Sequence, residues 1–119
     1  MKLIVAILAV ATFGQAQTPA GGALYPKPID MKLLVLSGDG SESSFAAIQL
    51  FLNYMGIPYE KVLLAKQPLP PLSDGNKGLY QGIILATGTL AYQDNGVWKA
   101  ALTADNWSKL DAYCRDYRV

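Results

Sequence analysis

The stretch Lys32-Leu33-Leu34-Val35-Leu36-Ser37-Gly38-Asp39-Gly40 decides the fold. Four consecutive apolar residues carry no polar alternation, so both faces of the segment favour leaving water. That is the pattern of a strand inside a parallel sheet covered on both sides. Ser37-Gly38-Asp39-Gly40 ends the strand, and Ser41 or Ser43 then caps a helix, with Glu42 placed near its positive end. Phe45, Ile48, Leu52 and Met55 recur at helical spacing and predict one buried stripe. Gly56 supplies the stop, Pro58 forbids continuation, and Tyr59 to Leu64 reads as a second strand.

Residues 65–79 hold three prolines and two glycines and read as a loop. Ile83 to Ala86 is another continuous apolar run, hence a third buried strand. Leu90-Ala91-Tyr92 and Val97-Trp98-Lys99 flank Asp94-Asn95-Gly96, and Asn-Gly is the strongest short-range hairpin signal. Thr103 is the N-cap of a last helix, with Asp105 in its first turn and Leu102 and Trp107 at the two positions of a hydrophobic staple. Trp107, Leu110, Cys114 and Tyr117 recur on one face, so Trp107 and Cys114 are expected in the core. The order β-α-β-loop-β-hairpin-α, with right-handed crossovers, predicts an α/β fold. It is a partial Rossmann- or flavodoxin-like (glutamine-amidotransferase-like) parallel sheet with an inserted β-hairpin. Three parallel strands and two helices make only part of such a fold, so a truncated domain is expected.

At 119 residues the chain is one domain's worth, 51% apolar and 16% charged, which suits a packed core and not disorder. Met1-Lys2, the apolar Leu3 to Phe13 and the small residues of Gly14-Gln15-Ala16 form the three regions of a secretory signal; the apolar run is too short to span a bilayer. The expected organisation is a signal peptide over 1–16, a linker over 17–30 and an α/β module over 31–119. The mature product is then secreted and extracellular, with no membrane attachment after cleavage. The full chain carries 10 basic and 9 acidic residues, net +1; losing Lys2 leaves 9 against 9. No basic run exists, so nucleic acid is not an expected partner.

There is no histidine and a single cysteine, Cys114. Ser-His-Asp and Cys-His catalysis, His general bases, His-zinc sites and an internal disulfide all fall away together. No metal or cofactor is expected. Ligands of open parallel sheets bind beyond the carboxyl ends of the strands, which directs attention to Ser37–Ser44, Thr87–Thr89 and the hairpin. The loop SGDGSESS lacks the lysine and glycine spacing of a phosphate loop, and Asp39 and Glu42 repel a phosphate; a helix-capping turn fits it better, and Asp39 as an acceptor for sugar hydroxyls is the alternative. Thr87-Gly88-Thr89 sits where glutamine amidotransferases carry a cysteine nucleophile, and holds none. Tyr92 and Trp98 are candidates for stacking on sugar rings. The same two residues also suit a cross-strand aromatic contact worth ~0.2–1 kcal/mol, and the sequence leaves both readings open. Asp39 paired with Glu42 or Asp94 is the remaining route to carboxylate-based hydrolysis.

An ordered set of phrases resembles the N-terminal region of secreted fungal exopolysaccharide deacetylases of the galactosaminogalactan type. These are KLLVLS at 32–37, GIPYEKV at 56–62, LPPLSDG at 69–75, LYQGIIL at 79–85, VWKAALTADNWSKLDAY at 97–113 and YRV at 117–119. The resemblance implies a non-catalytic region, associated with carbohydrate binding, that precedes a metal-dependent deacetylase barrel. The aspartate and histidine metal ligands of such barrels have no counterpart here, so no catalytic residue is carried over. The expected function is an extracellular polysaccharide-binding module for an amino-sugar polymer, with Tyr92, Trp98, Asp39, Thr87 and Thr89 as its contacts and a downstream catalytic domain as a further partner. A scaffold domain packed against a catalytic barrel and a small hydrolase are the alternatives.

Overall fold

A computed structural model describes residues 26–119; the expected signal peptide and the first part of the linker lie outside the described residues. In chain order the elements are β1 (Leu33–Ser37), α1 (Ser43–Met55), β2 (Tyr59–Leu63), β3 (Ser73–Asp74), β4 (Lys77–Gly78), β5 (Gly82–Leu85), β6 (Ala91–Asp94), β7 (Val97–Ala100) and α2 (Ala104–Tyr117). β1 lies between β2 and β5, parallel to both. The result is a small mixed α/β domain with a three-stranded parallel sheet and two helices.

Register explains why β1 is apolar throughout. Leu34 and Leu36 point to the face shared with Val62 and with Leu110 and Tyr113 of α2, while Val35 points to the face shared with Phe45 and Leu52 of α1. Leu34, Val35 and Leu36 are each 0% exposed. In β5, Ile83 and Leu85 join the α2 layer and Ile84 the α1 layer.

α1 ends as its sequence predicts. Gly56 takes a left-handed φ of 68°. Its amide donates to Asn53 O and that of Ile57 to Leu52 O, a Schellman closure in which Ile57 and Leu52 share the apolar cluster. Met55, expected on the buried stripe, is 54% exposed, because Ile57 beyond the turn takes its place against the sheet. The opposite face of α1 is also apolar. Leu50, Phe51, Tyr54 and Met55 are largely exposed, and no charged residue occurs between Ser43 and Met55.

The α2 stripe needs a larger correction. Thr103 is the N-cap, its side chain accepting from Asn106 N, and Leu102 is buried. Trp107 is not; it is 37% exposed. The buried face is Leu110 and Tyr113 with Tyr117 packed against it, and Cys114 lies outside both clusters. A tyrosine wins this place because its hydroxyl closes a backbone gap: Tyr113 Oη accepts from Tyr80 N at 3.0 Å and donates to Tyr80 O.

The proline-rich loop contains the short β3–β4 ribbon around Gly75, which its composition did not reveal. Ile29 bridges to Gly78, and Pro28 O and Asp30 N hydrogen bond to the same residue, so residues 28–30, placed in the linker, are tied to the domain. Gly78 is pressed against α2: a Cβ there would lie 2.7 Å from Tyr113 Oη.

Tyr113→Phe leaves the amide and carbonyl of Tyr80 unpaired in the core and is expected to cost about 1–3 kcal/mol. Urea unfolding should register this loss, whereas Tyr117→Phe should stay within about 0.5 kcal/mol of the parent.

Candidate functional site

Where β1 ends, Ser37 is the one buried polar residue among those described, at 0% exposure. Its hydroxyl must find partners, and it finds two: it donates to Glu42 Oε2 and accepts from Gly40 N at 2.8 Å. Glu42 Oε1 accepts from Gly38 N at 2.8 Å. Glu42 therefore occupies the N-cap position of α1 with no side-chain cap to the helix; its carboxylate turns back to tie down the loop it follows. This corrects the expectation that Ser41 or Ser43 caps α1. Ser41 instead donates its hydroxyl and its amide to Asp39 Oδ1, at 2.7 and 3.0 Å. Gly40 carries a φ of 90°, a conformation glycine adopts without Cβ strain.

The turn after β5 is fixed by its own side chain. Thr87 Oγ1 accepts from Leu90 N at 3.1 Å. Leu90 is fully buried with a left-handed φ of 49°, a strain a branched residue tolerates only where its side chain is locked in the core. Leu90 O then accepts from Ala101 N, closing the base of the hairpin. At the other end Asn95 and Gly96 have φ of 52° and 80°, the type I′ turn their order predicts. Ser44 Oγ donates to Ala86 O at 2.6 Å, linking the start of α1 to the end of β5.

These three segments enclose a cleft of about 650 Å3 beyond the carboxyl ends of β1 and β5. All five residues singled out from sequence, Asp39, Thr87, Thr89, Tyr92 and Trp98, line it. Glu42, Gln93 and Ser41 also line it. Glu42 was read as a helix-terminus charge; the signal that marks it as more is a buried serine at the strand end, which calls for an acceptor within the next turn. Trp98 is 67% exposed. It pairs across the ribbon with Gln93, and Tyr92 with Lys99. Pleating then sends the two aromatic rings to opposite faces of the ribbon, so the cross-strand aromatic contact is ruled out by register.

Both acids are held ionised. Burial works against the charge on Glu42, but the hydrogen bonds from Ser37 and Gly38 outweigh it and bring its carboxyl below the ordinary value. The hydroxyl and amide of Ser41 bring Asp39 below its ordinary value as well. Among the described residues no cluster of three or more metal-ligating side chains is present, and no helix is long and apolar enough to cross a membrane.

A family model of the Agd3 CBM87 module, a carbohydrate-binding module, matches residues 29–119. The chain belongs to the Agd3 CBM87 family. A solved structure, the crystal structure of Agd3, a novel carbohydrate deacetylase, is similar over 76% of this chain at 33% identity with a TM-score of 0.64. The match spans 14% of that deacetylase's chain. No curated protein matches the chain. The CBM87 match includes every residue of the cleft, and the N-terminal deacetylase region expected from the ordered phrases is the region it identifies.

Glu42 is lowered in the folded state, so its contribution is present above the ordinary glutamate value of 4.5 and disappears as the pH falls through the lower folded value. Glu42→Gln should therefore be less stable than the parent at pH 7, with the gap between the two urea midpoints closing as the pH is taken down through the acid range.

Proposed function

We propose that this chain is a non-catalytic module that holds an extracellular amino-sugar polysaccharide in the cleft between the β1 loop, the β5 turn and the β6–β7 ribbon. The observation that carries the reading is Trp98. A tryptophan two-thirds exposed on the wall of a cleft at the strand ends offers an apolar face that nothing in the fold uses. Sugar rings present a matching face of C–H groups, and the surrounding hydroxyls, amide and carboxylates suit the ring's hydroxyl edges. Asp39, Thr87, Thr89 and Tyr92 supply polar contacts; Thr87, whose oxygen accepts from Leu90, retains its hydroxyl proton to donate. Membership of a carbohydrate-binding family supports the same reading, and the signal-like residues 1–16 support secretion.

Binding without turnover is favoured by the state of the two acids. Glycoside hydrolysis by a carboxyl pair needs one partner raised so that it can donate a proton. Here Asp39 and Glu42 are both lowered, and both oxygens of Glu42 accept bonds from the loop. Individual contacts of this kind are weak, so affinity is expected to rise with the number of repeating sugar units a polymer offers.

The exposed face of α1 favours a second role beside the first. A stretch containing Leu50, Phe51, Tyr54 and Met55 with no charge is the composition of a covered surface, and the related deacetylase is a far longer chain. We read this face as the one that packs on a neighbouring catalytic domain, leaving the cleft open.

In native affinity gels containing hexosamine polymer, the parent should be retarded and Trp98→Ala should migrate as in a gel without polymer, with unchanged urea unfolding. A parent that ignores every amino-sugar polymer would remove the reading. For the packing face, Phe51→Glu should leave the domain folded and the gel shift intact while raising the concentration at which the isolated chain stays monomeric in sedimentation; unchanged sedimentation would count against it.

A further inference from the structure

The cleft carries charge of one sign. Asp39 and Glu42 line it, and no lysine or arginine does. Two lysines outside the lining do not offset that charge. Lys99 is ion-paired with Asp94 on the ribbon, and Lys66 acts on Asp39 only as the weakest of the influences on it. Neither acid is neutralised by a salt bridge among the described residues.

The two carboxylates differ in what they have left to offer. Glu42 has one hydrogen bond on each oxygen, from Ser37 and Gly38, so its carboxylate is fixed to the loop and both oxygens already serve the fold. Asp39 uses Oδ1 for both Ser41 donors, and Oδ2 accepts no hydrogen bond among the described residues. Asp39, with one oxygen unpartnered, thus lines the same cleft as a second negative charge and an exposed indole. A neutral ligand gains little from that field, and an anionic one is repelled by it. A ligand with an ammonium group gains a charge-assisted hydrogen bond at Asp39 Oδ2 and the attraction of Glu42 behind it.

We infer that the cleft selects sugar units carrying a free, protonated amine over their N-acetylated, neutral or uronic-acid counterparts. The inference rests on the carbohydrate reading above and narrows it. N-acetylation removes the positive charge and leaves an amide whose single N–H is a weaker donor. Discrimination therefore sits chiefly at Asp39 Oδ2, with Glu42 adding to it, while Trp98 holds the ring whatever its substituent.

Isothermal titration of the purified chain with glucosamine and N-acetylglucosamine oligomers of equal length, and with an oligouronate as the anionic probe, separates the possibilities. The free-amine oligomer should bind about tenfold more tightly than the acetylated one, as one charge-assisted hydrogen bond implies. That preference should shrink with added salt and vanish once the pH is high enough to neutralise the amine; the uronate should give no heat. Asp39→Asn should remove most of the free-amine preference and leave acetylated binding unchanged, whereas Trp98→Ala should weaken both equally. Equal binding of the two oligomers, or a preference undiminished in Asp39→Asn, overturns the charge selection while leaving the carbohydrate reading standing. Binding of no oligomer at all overturns both.

Discussion

The end of β1 is the constraint from which the site follows. Burying a strand on both faces removes water from its backbone and from any polar residue it carries, and Ser37 is the polar residue at the point where the strand leaves the core. A fully buried hydroxyl without partners would cost about 1–3 kcal/mol. The chain meets that demand locally: Glu42 reaches back to Ser37 and to Gly38, and Gly40 donates to Ser37 from a left-handed backbone. The loop is thereby held short and rigid, and Gly38 is brought so close to the hairpin that a Cβ on it would lie 3.2 Å from Tyr92 Cβ. The loop that one satisfied serine holds is thus in close contact with the ribbon at Tyr92.

The ribbon that forms the aromatic wall depends on a comparable compromise. Leu90 accepts a left-handed backbone so that its side chain can fill the α2-side core while its amide and carbonyl fasten the turn after β5 to the base of the ribbon. Strain of this kind costs of order 1–3 kcal/mol and persists where the surroundings over-determine it. The ribbon it anchors is otherwise held by few neighbours: all four β7 residues are exposed. The hairpin is a projection whose position is fixed at its root and whose tip is free of the core, a suitable arrangement for presenting Trp98 to a polymer too large to be enclosed.

Much of this was legible in the residues. The unbroken apolar runs identified the parallel strands, Asn95-Gly96 the hairpin, Gly56 the end of α1 and Thr103 the start of α2, because each of those signals is local and has one mechanical cause. The five cleft residues came from a rule about strand ends, and strand order placed them together. What stayed hidden was non-local. Periodicity offered Trp107, Leu110, Cys114 and Tyr117 as one stripe, and only the unpaired backbone of Tyr80 across the interface selects Tyr113 over Trp107. Glu42 looked like a helix-terminus charge because its true partner is a serine on the strand before it. Tyr92 and Trp98 looked like a pair because register, not spacing, decides which side of a ribbon a ring occupies.

The two unused apolar surfaces are separate, and this separation carries a consequence for how such a module works. Ser43 and Ser44 at the first turn of α1 line the cleft, whereas the exposed apolar face lies further along the same helix, with Leu50, Phe51, Tyr54 and Met55 towards its C-terminal half. A rise of ~1.5 Å per residue puts Met55 about 18 Å along the axis from Ser43. A domain seated on Leu50 to Met55 would leave the Trp98 wall in solvent, and a polymer lying in the cleft would not have to displace it. Because α1 spans both, the helix would fix the distance between a bound sugar and whatever packs on its far end. On the proposed reading, a thirteen-residue helix between the two surfaces would turn weak sugar contacts into a positional constraint, the contribution a binding module makes when the chemistry belongs to another part of an assembly.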